Sequence, residues 1–174
     1  MKKFLPYIVA GLACLSMPAK SMAQKCDLDV DKVDAFSNEH IRSGTNPVGS
    51  KKFKWKLTLQ RTNDKYSWAL YIVYGVVVDK SIKKGETVKL KLENGKIIEL
   101  VIDDNYLPVA GVGTTNVYTV FQPKGALTEA TIKDLAESPI TNLQTNLFGY
   151  SPEIEISSKQ GEAIEETAKC LLKP

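Results

Sequence analysis

A lysine-rich stretch is the first part of the sequence whose residue types suggest chemistry. Lys52, Lys54 and Lys56 alternate with apolar residues in KKFKWKLTLQR, residues 51–61. A row of ammonium groups could form a binding face for an anionic partner, such as an envelope glycan or the acidic face of a protein. Because alternate residues of a strand point to opposite faces, the aromatic residues between the lysines cannot stack on the same ligand. The simpler interpretation is therefore the solvated side of a strand.

Four aspartates close to the start of the predicted mature chain suggest a cation site. They are Asp27, Asp29, Asp31 and Asp34. Calcium prefers carboxylate oxygens, and this spacing begins like an EF-hand loop. Lys32 stands where that loop needs glycine, however, and Asn38 stands where it needs glutamate. On a strand, the first three carboxylates would spread along about 13 Å of one face. The pattern predicts a solvated strand face and no metal site.

Catalytic signatures are sparse. His40 is the only histidine and falls in a polar segment predicted to be a loop, with no nucleophile motif around it. Zinc would need cysteine and histidine ligands that the sequence lacks, and no phosphate-binding glycine motif occurs. The sequence therefore predicts no catalytic residue, cofactor or metal. The alternative is a small secreted hydrolase or inhibitor whose carboxylates, such as Asp103 and Asp104, assemble in space.

The first 23 residues read as a signal peptide. Lys2 and Lys3 precede an apolar run over 4–17, and Ser21-Met22-Ala23 fits a signal-peptidase site, so cleavage is expected between Ala23 and Gln24. The run has about 14 residues, too few for a bilayer span of about 20. An uncleaved anchor and a lipid anchor at Cys14 are the weaker alternatives. We expect a periplasmic or extracellular mature chain without a transmembrane segment.

Charge and length bound the mature chain. The whole sequence has 23 basic and 20 acidic residues, and the signal peptide contains three of the basic ones and no acidic one. The mature chain is therefore balanced in charge and lacks the surplus of Lys and Arg that nucleic-acid binding needs. Residues 24–174 are of ordinary length for one globular domain.

Two cysteines remain after cleavage, one near each end. In an oxidising compartment, Cys26 and Cys170 predict a disulfide, with an intermolecular bridge or free thiols as alternatives. An intramolecular bond would close a loop of roughly 145 residues, and the loop-entropy estimate is then about 4 to 5 kcal/mol of stabilisation.

Period-two alternation of apolar and polar residues is the main strand signal. It is clearest over 52–60 and over 65–74, and the second run is apolar on both faces, which predicts a central strand. Strands are predicted over residues 26–36, 52–60, 65–74, 86–93, 97–102, 114–122, 140–147 and 153–157. Glycine, proline and polar residues predict loops over 38–50 and 103–113.

Asn94-Gly95 predicts a hairpin turn, because both residues tolerate positive φ. A two-residue turn would pair Glu93 with Lys96. A three-residue turn would instead pair Leu92 with Ile98 and keep one apolar face intact. We expect the two-residue turn, since the returning strand is apolar on both faces and can absorb the mismatch.

Two helices complete the predicted fold. Thr128 is the expected N-cap of a short helix that runs to about Glu137, and Ser157 is spaced for a capping box before an amphipathic helix over 159–172. The predicted class is α+β, a mainly antiparallel sheet with one short helix and the C-terminal helix packed on it.

The order of these segments resembles small secreted proteins of Bacteroidota. The resemblance is carried by the early cysteine, the lysine and aromatic strand, KKGETVKLKLENGKIIELVI (83–102), LTEATIKDLAESPI (127–140) and the terminal AKCL. The resemblance implies export and this layout, and it points to no particular activity. Because catalytic signatures are sparse, the sequence predicts a non-enzymatic binding module of the cell envelope. We expect its partner, a protein or glycan, to contact a sheet face, an edge or the loop over 103–113.

Overall fold

The computed structural model describes residues 26–50, 55–112, 117–147 and 152–174. It confirms a mainly antiparallel α+β fold with a C-terminal helix. The strands are β1 Val30–Val33, β2 His40–Val48, β3 Trp55–Thr62, β4 Lys65–Tyr74, β5 Thr87–Leu92, β6 Ile97–Val101, β7 Val109–Val112, β8 Val117–Phe121, β9 Lys124–Leu127, β10 Ile140–Thr145 and β11 Glu153–Glu155. The helices are α1 Glu129–Glu137 and α2 Ser158–Leu172.

The strands form two antiparallel sheets. The larger sheet has the order β1-β2-β3-β4-β8-β7, and β9 pairs with the first half of β4. The smaller sheet has the order β11-β10-β5-β6. A single apolar core joins both sheets and both helices, and its largest buried side chains are Trp55, Trp68 and Phe121. The outer face of the larger sheet, opposite this core, remains partly exposed.

Both predicted helix starts are confirmed. The Thr128 side chain accepts a hydrogen bond from the Thr131 N–H at 3.1 Å and so caps α1. Ser157 and Gln160 form the predicted capping box of α2. No helix in the described part of the chain is both long and apolar enough to cross a membrane.

The predicted loop over 38–50 is wrong, because β2 occupies most of it. The α2 helix packs on this strand, so small and polar residues replace the usual apolar alternation. A Cβ at Gly44 would lie 2.7 Å from Cγ2 of Thr167, and Asn46 Nδ2 donates to Thr167 Oγ1 at 2.9 Å. Pro47 lies beyond the residues that pair with β1, at an open edge where a missing N–H costs no ladder bond.

The hairpin register differs from both registers considered for Asn94-Gly95. Leu90 lies opposite Ile98 and Val88 opposite Leu100, with a three-residue loop of Glu93, Asn94 and Gly95. Gly95 has φ +87°, which fits a type I turn followed by a left-handed residue. This register is favoured because it places apolar residues opposite apolar residues on the core face, which a two-residue turn would not do.

The predicted disulfide is confirmed. Cys26 and Cys170 are bonded, with Cα atoms 5.5 Å apart. Cys26 precedes β1 and is not part of it, so the predicted first strand over 26–36 begins too early and ends too late. The bond fastens the segment before β1 to the last turns of α2.

At Gly161 in α2, helix propensity favours an alanine substitution, whereas packing against neighbouring residues opposes it. An added Cβ would collide with the carbonyl oxygen of Ile140 and lie 3.2 Å from Cβ of Pro139. Overpacking costs about 1 to 3 kcal/mol, whereas alanine gains about 1 kcal/mol of helix propensity. We expect Gly161→Ala to lower the free energy of unfolding by about 1 kcal/mol, measured by urea denaturation.

Gly75→Ala is the matched control for that substitution. Nothing lies within 4 Å of a Cβ added at Gly75, so this change should leave stability unaltered or slightly raised. If the Gly161→Ala protein is as stable as the Gly75→Ala protein, then Ile140 and Pro139 move aside without any loss of stability.

Candidate functional site

The lysine row is only partly described by the structure. Lys56 is exposed on β3, while Trp55 and Leu57 on either side of it are buried, which confirms the predicted alternation there. Lys52 and Lys54 lie outside the described residues. Lys56 therefore has the orientation that either a binding face or a solvated strand would give it.

Neighbouring strands add aromatic and apolar residues to the same outer face. In the register of β3 and β4, Lys56 lies opposite Tyr71, and opposite residues of antiparallel strands share a face. Farther along the sheet, Val120 of β8 lies opposite both Val73 of β4 and Val109 of β7. An aromatic ring thus stands beside the lysine after all, supplied by the next strand.

A groove lies on this outer face and has a volume of about 550 Å³. Seven residues from β4, β7, β8, β9, the loop before β7 and the connection between β8 and β9 line what we call the outer-face groove. They are Ala69, Tyr106, Leu107, Val109, Val120, Gln122 and Lys124. Its strand residues Ala69, Val109 and Val120 make an apolar floor, and the described residues of its lining include a lysine but no carboxylate.

The loop wall of the groove is fixed by hydrogen bonds. Backbone N–H groups of Ile82 and Tyr106 each donate to the other residue's carbonyl at 2.9 Å. The Tyr106 hydroxyl donates to Oδ1 of Asp103 at 2.7 Å. Partial burial, reinforced by this carboxylate, raises the pKa of Tyr106 to about 12, so the phenol stays protonated and keeps its hydrogen bond at physiological pH. The groove is therefore preformed.

The strand beside the groove, β7, ends the larger sheet. Part of the predicted loop over 103–113 is this strand, and the predicted loop is wrong there because Val109–Val112 pairs with β8. The ring of Tyr118 covers Gly111, where a Cβ would collide with it. An aromatic cross-strand neighbour thus compensates for the glycine and allows a short strand to form.

β7 differs in charge from the other strands that end the two sheets. β1 carries Asp31 and Lys32, β6 carries Glu99, and β11 carries two glutamates. β7 has the sequence VAGV and carries no charge. Charged residues on a terminal strand discourage pairing with another chain, so β7 lacks the usual protection.

Exposed apolar side chains surround β7. Leu107 is 73% exposed, Val109 63% and Val112 81%. Val117 of β8, opposite Val112, is also exposed. Leu107 and Val109 lie toward the outer face, whereas Val112 and Val117 lie toward the opposite face, so apolar side chains border the open strand edge on both faces, as is typical of a protein-binding surface.

Residues of the predicted acidic row make hydrogen bonds within the fold. Asp29 accepts a hydrogen bond from the Thr45 N–H at 2.6 Å, and Asp31 Oδ1 contacts His40 Nε2 at 2.7 Å. His40 begins β2, so its predicted position in a loop is wrong. Within the residues that the structure describes, no group of three or more His, Cys, Asp or Glu side chains is placed to hold a metal.

The carboxylates of the alternative hydrolase hypothesis do not converge on the groove. Asp103 binds the Tyr106 hydroxyl, and Asp104 accepts from the Asn105 N–H at 2.8 Å. Glu153 and Glu155 border a second hollow of about 530 Å³ beside the start of α2, but Glu153 also accepts a hydrogen bond from Asn142.

Comparisons with protein-family models, curated proteins and solved structures found no match to this chain.

The sequence does not reveal the groove, because its lining comes from four strands and two connecting segments that lie apart along the chain. A signal was present in β4, whose second face holds Ser67, Ala69, Tyr71 and Val73. This face was interpreted as covered, whereas Ala69 and Tyr71 are only partly buried. Small and aromatic residues side by side on that face were the available sign of an open surface.

Proposed function

We propose that this chain is an exported, non-enzymatic binding module of the cell envelope that binds an extended segment of another protein. The observation that carries the proposal is the uncharged edge strand β7 beside a preformed apolar groove. An added strand gains main-chain hydrogen bonds from an open edge, and pockets for alternate side chains give specificity. The disulfide supports export, since such bonds persist in oxidising compartments.

The lining of the groove favours a protein over a glycan. Sugars need several convergent polar groups beside an aromatic ring. Among the described lining residues, Gln122 and Lys124 supply long polar side chains, and the Tyr106 hydroxyl already donates to Asp103. Val109, Leu107 and Val112 instead offer apolar contacts for alternate side chains of a strand. An envelope protein with an uncharged, β-branched segment has the chemistry that this edge would select.

We expect Val109→Lys combined with Val112→Lys to abolish partner binding without unfolding the domain, because both side chains are largely exposed. Lysine on an edge strand opposes strand addition and removes the apolar contacts. The test is a pull-down from native envelope extract with residues 24–174 as bait. Photo-crosslinking from residue 110 would then locate the partner's segment.

Ile97→Lys combined with Val101→Lys is the matched control. These two residues are 61% and 53% exposed on β6, which already carries a charge. The control bait should retain every partner of the unmodified bait. Equal retention by the β7 variant, with no crosslink from residue 110, would contradict the proposed function.

A further inference from the structure

Phe36 is the most exposed large apolar side chain in the described part of the chain. It lies in the turn between β1 and β2, and 99% of its surface is accessible. The sequence predicted that it belonged to the first strand. Phenylalanine is usually buried, so a fully exposed ring at a turn tip is a candidate anchor for a partner's pocket.

The turn that displays Phe36 is rigid. Asp34 Oδ1 accepts hydrogen bonds from the N–H groups of Phe36 at 3.0 Å and Ser37 at 2.9 Å. The Asp34 N–H donates to Glu39 O at 2.8 Å, and the Asn38 N–H donates to Asp34 O at 2.9 Å. The backbone donors of Ser37 and Phe36 lower the pKa of Asp34, so its carboxylate stays ionised and keeps the turn folded at neutral pH. Such preorganisation lowers the entropic cost of binding.

The charges around Phe36 complement those of the outer-face groove. Asp34 and Glu39 flank the ring on the turn. The groove has Lys124 at its border and an apolar floor, and the carboxylate beside its loop wall, that of Asp103, accepts a hydrogen bond from the Tyr106 hydroxyl. An aromatic anchor with acidic neighbours therefore matches the apolar floor and can place its carboxylates beside Lys124.

One copy cannot fill its own groove with Phe36. β1 begins the larger sheet, and the groove starts three strands away at β4, or about 14 Å at the usual strand spacing. The anchor turn is held at its own end of the sheet by β1 and β2. Only a second copy can bring the two surfaces together.

We propose that Phe36 of one copy binds the outer-face groove of a second copy, so that the mature chain assembles head to tail. This inference rests on the proposed function, because it takes the groove to be a protein-binding site and names this chain as a partner. The two contacting surfaces differ, so the interface is heterologous. Repetition without ring closure would give open-ended chains of copies.

The test combines two variants that each remove one half of the contact. Phe36→Ala deletes the anchor but leaves the groove, and Leu107→Asp adds repulsion toward Asp34 and Glu39 at the groove but leaves the anchor. Both side chains are largely exposed, so both variants should melt at the temperature of the unmodified chain. Phe36→Ala should weaken self-association by about thirtyfold or more.

Sedimentation velocity of residues 24–174 over a concentration series gives the readout. The unmodified chain should form species larger than a dimer, each variant should remain monomeric, and their equimolar mixture should form one heterodimer. Val101→Asp, with the same change on an exposed residue of β6, should assemble like the unmodified chain. An unmodified chain that stays monomeric, a Phe36→Ala chain that assembles normally, or a mixture without heterodimer would each overturn the inference.

Failure of self-assembly would not decide the proposed function. Capture of an envelope protein by β7 does not need Phe36. A monomeric chain that still captures such a protein, and loses it with the β7 lysine variant, would retain the binding module and reject self-assembly. A chain that stays monomeric and also captures no envelope protein would show that the groove is not a protein-binding site.

Discussion

Replacing both Cys26 and Cys170 with alanine is expected to lower the free energy of unfolding by about 4 to 5 kcal/mol. The disulfide joins residues 144 positions apart, so it restricts nearly the whole described chain in the unfolded state. Domains of this size are stable by about 5 to 15 kcal/mol, and the bond therefore supplies a large fraction of the total. Alanine avoids placing a polar hydroxyl at Cys170, which is buried.

Urea denaturation of residues 24–174 in oxidising buffer measures this effect as a shift of the midpoint. Treating the unmodified chain with a reductant should reproduce most of the shift, whereas the double variant should not respond to the reductant. Coincident midpoints for the unmodified and double-variant chains would contradict the prediction. They would mean that α2 and the segment before β1 are held by packing alone.

The parts of the fold predicted correctly are those in which one strand or helix carries its own signal. β3 and β4 have strict alternation around Trp55 and Trp68, and both helices begin at residues with capping side chains. β2 carries no such signal. Gly44 and Asn46 lie in a strand because α2 covers them, and that cover comes from residues more than 100 positions later.

The candidate site could be predicted only in outline. The sequence indicated a sheet face, an edge or the loop over 103–113, and the groove involves all three. It could not show that Tyr71 lies beside Lys56, because this depends on the register between β3 and β4. It also placed Phe36 in a strand, since period-two alternation alone does not reveal a turn built by the Asp34 side chain.

Arg42 is expected to stabilise the end of α2 from a buried position on β2. It is 6% exposed, and its Nη1 donates to the carbonyl oxygen of Lys173 at 2.6 Å. Its Nε lies 3.5 Å from Oδ2 of Asp31 in an ion pair, without a hydrogen bond among the described residues. Hydrogen bonds from charged donors contribute about 1.5 to 3 kcal/mol, and the substitution would remove one of the two arginine donors to the Lys173 carbonyl. We expect Arg42→Met to lower the free energy of unfolding by about 2 to 3 kcal/mol.

Arg42→Lys separates the charge from the geometry of the guanidinium group. Lysine keeps the charge but cannot both donate to the Lys173 carbonyl and lie beside Asp31, so Arg42→Lys should lower the free energy of unfolding by less than Arg42→Met does. Arg61 donates to the carbonyls of Leu171 at 3.0 Å and Lys173 at 2.8 Å, so α2 retains a second cap in both variants. If urea denaturation finds Arg42→Met as stable as the unmodified chain, Arg61 alone suffices. If the free energy of unfolding instead falls for Arg42→Lys and falls further for Arg42→Met, then the contacts of buried Arg42 with the end of α2 stabilise the fold.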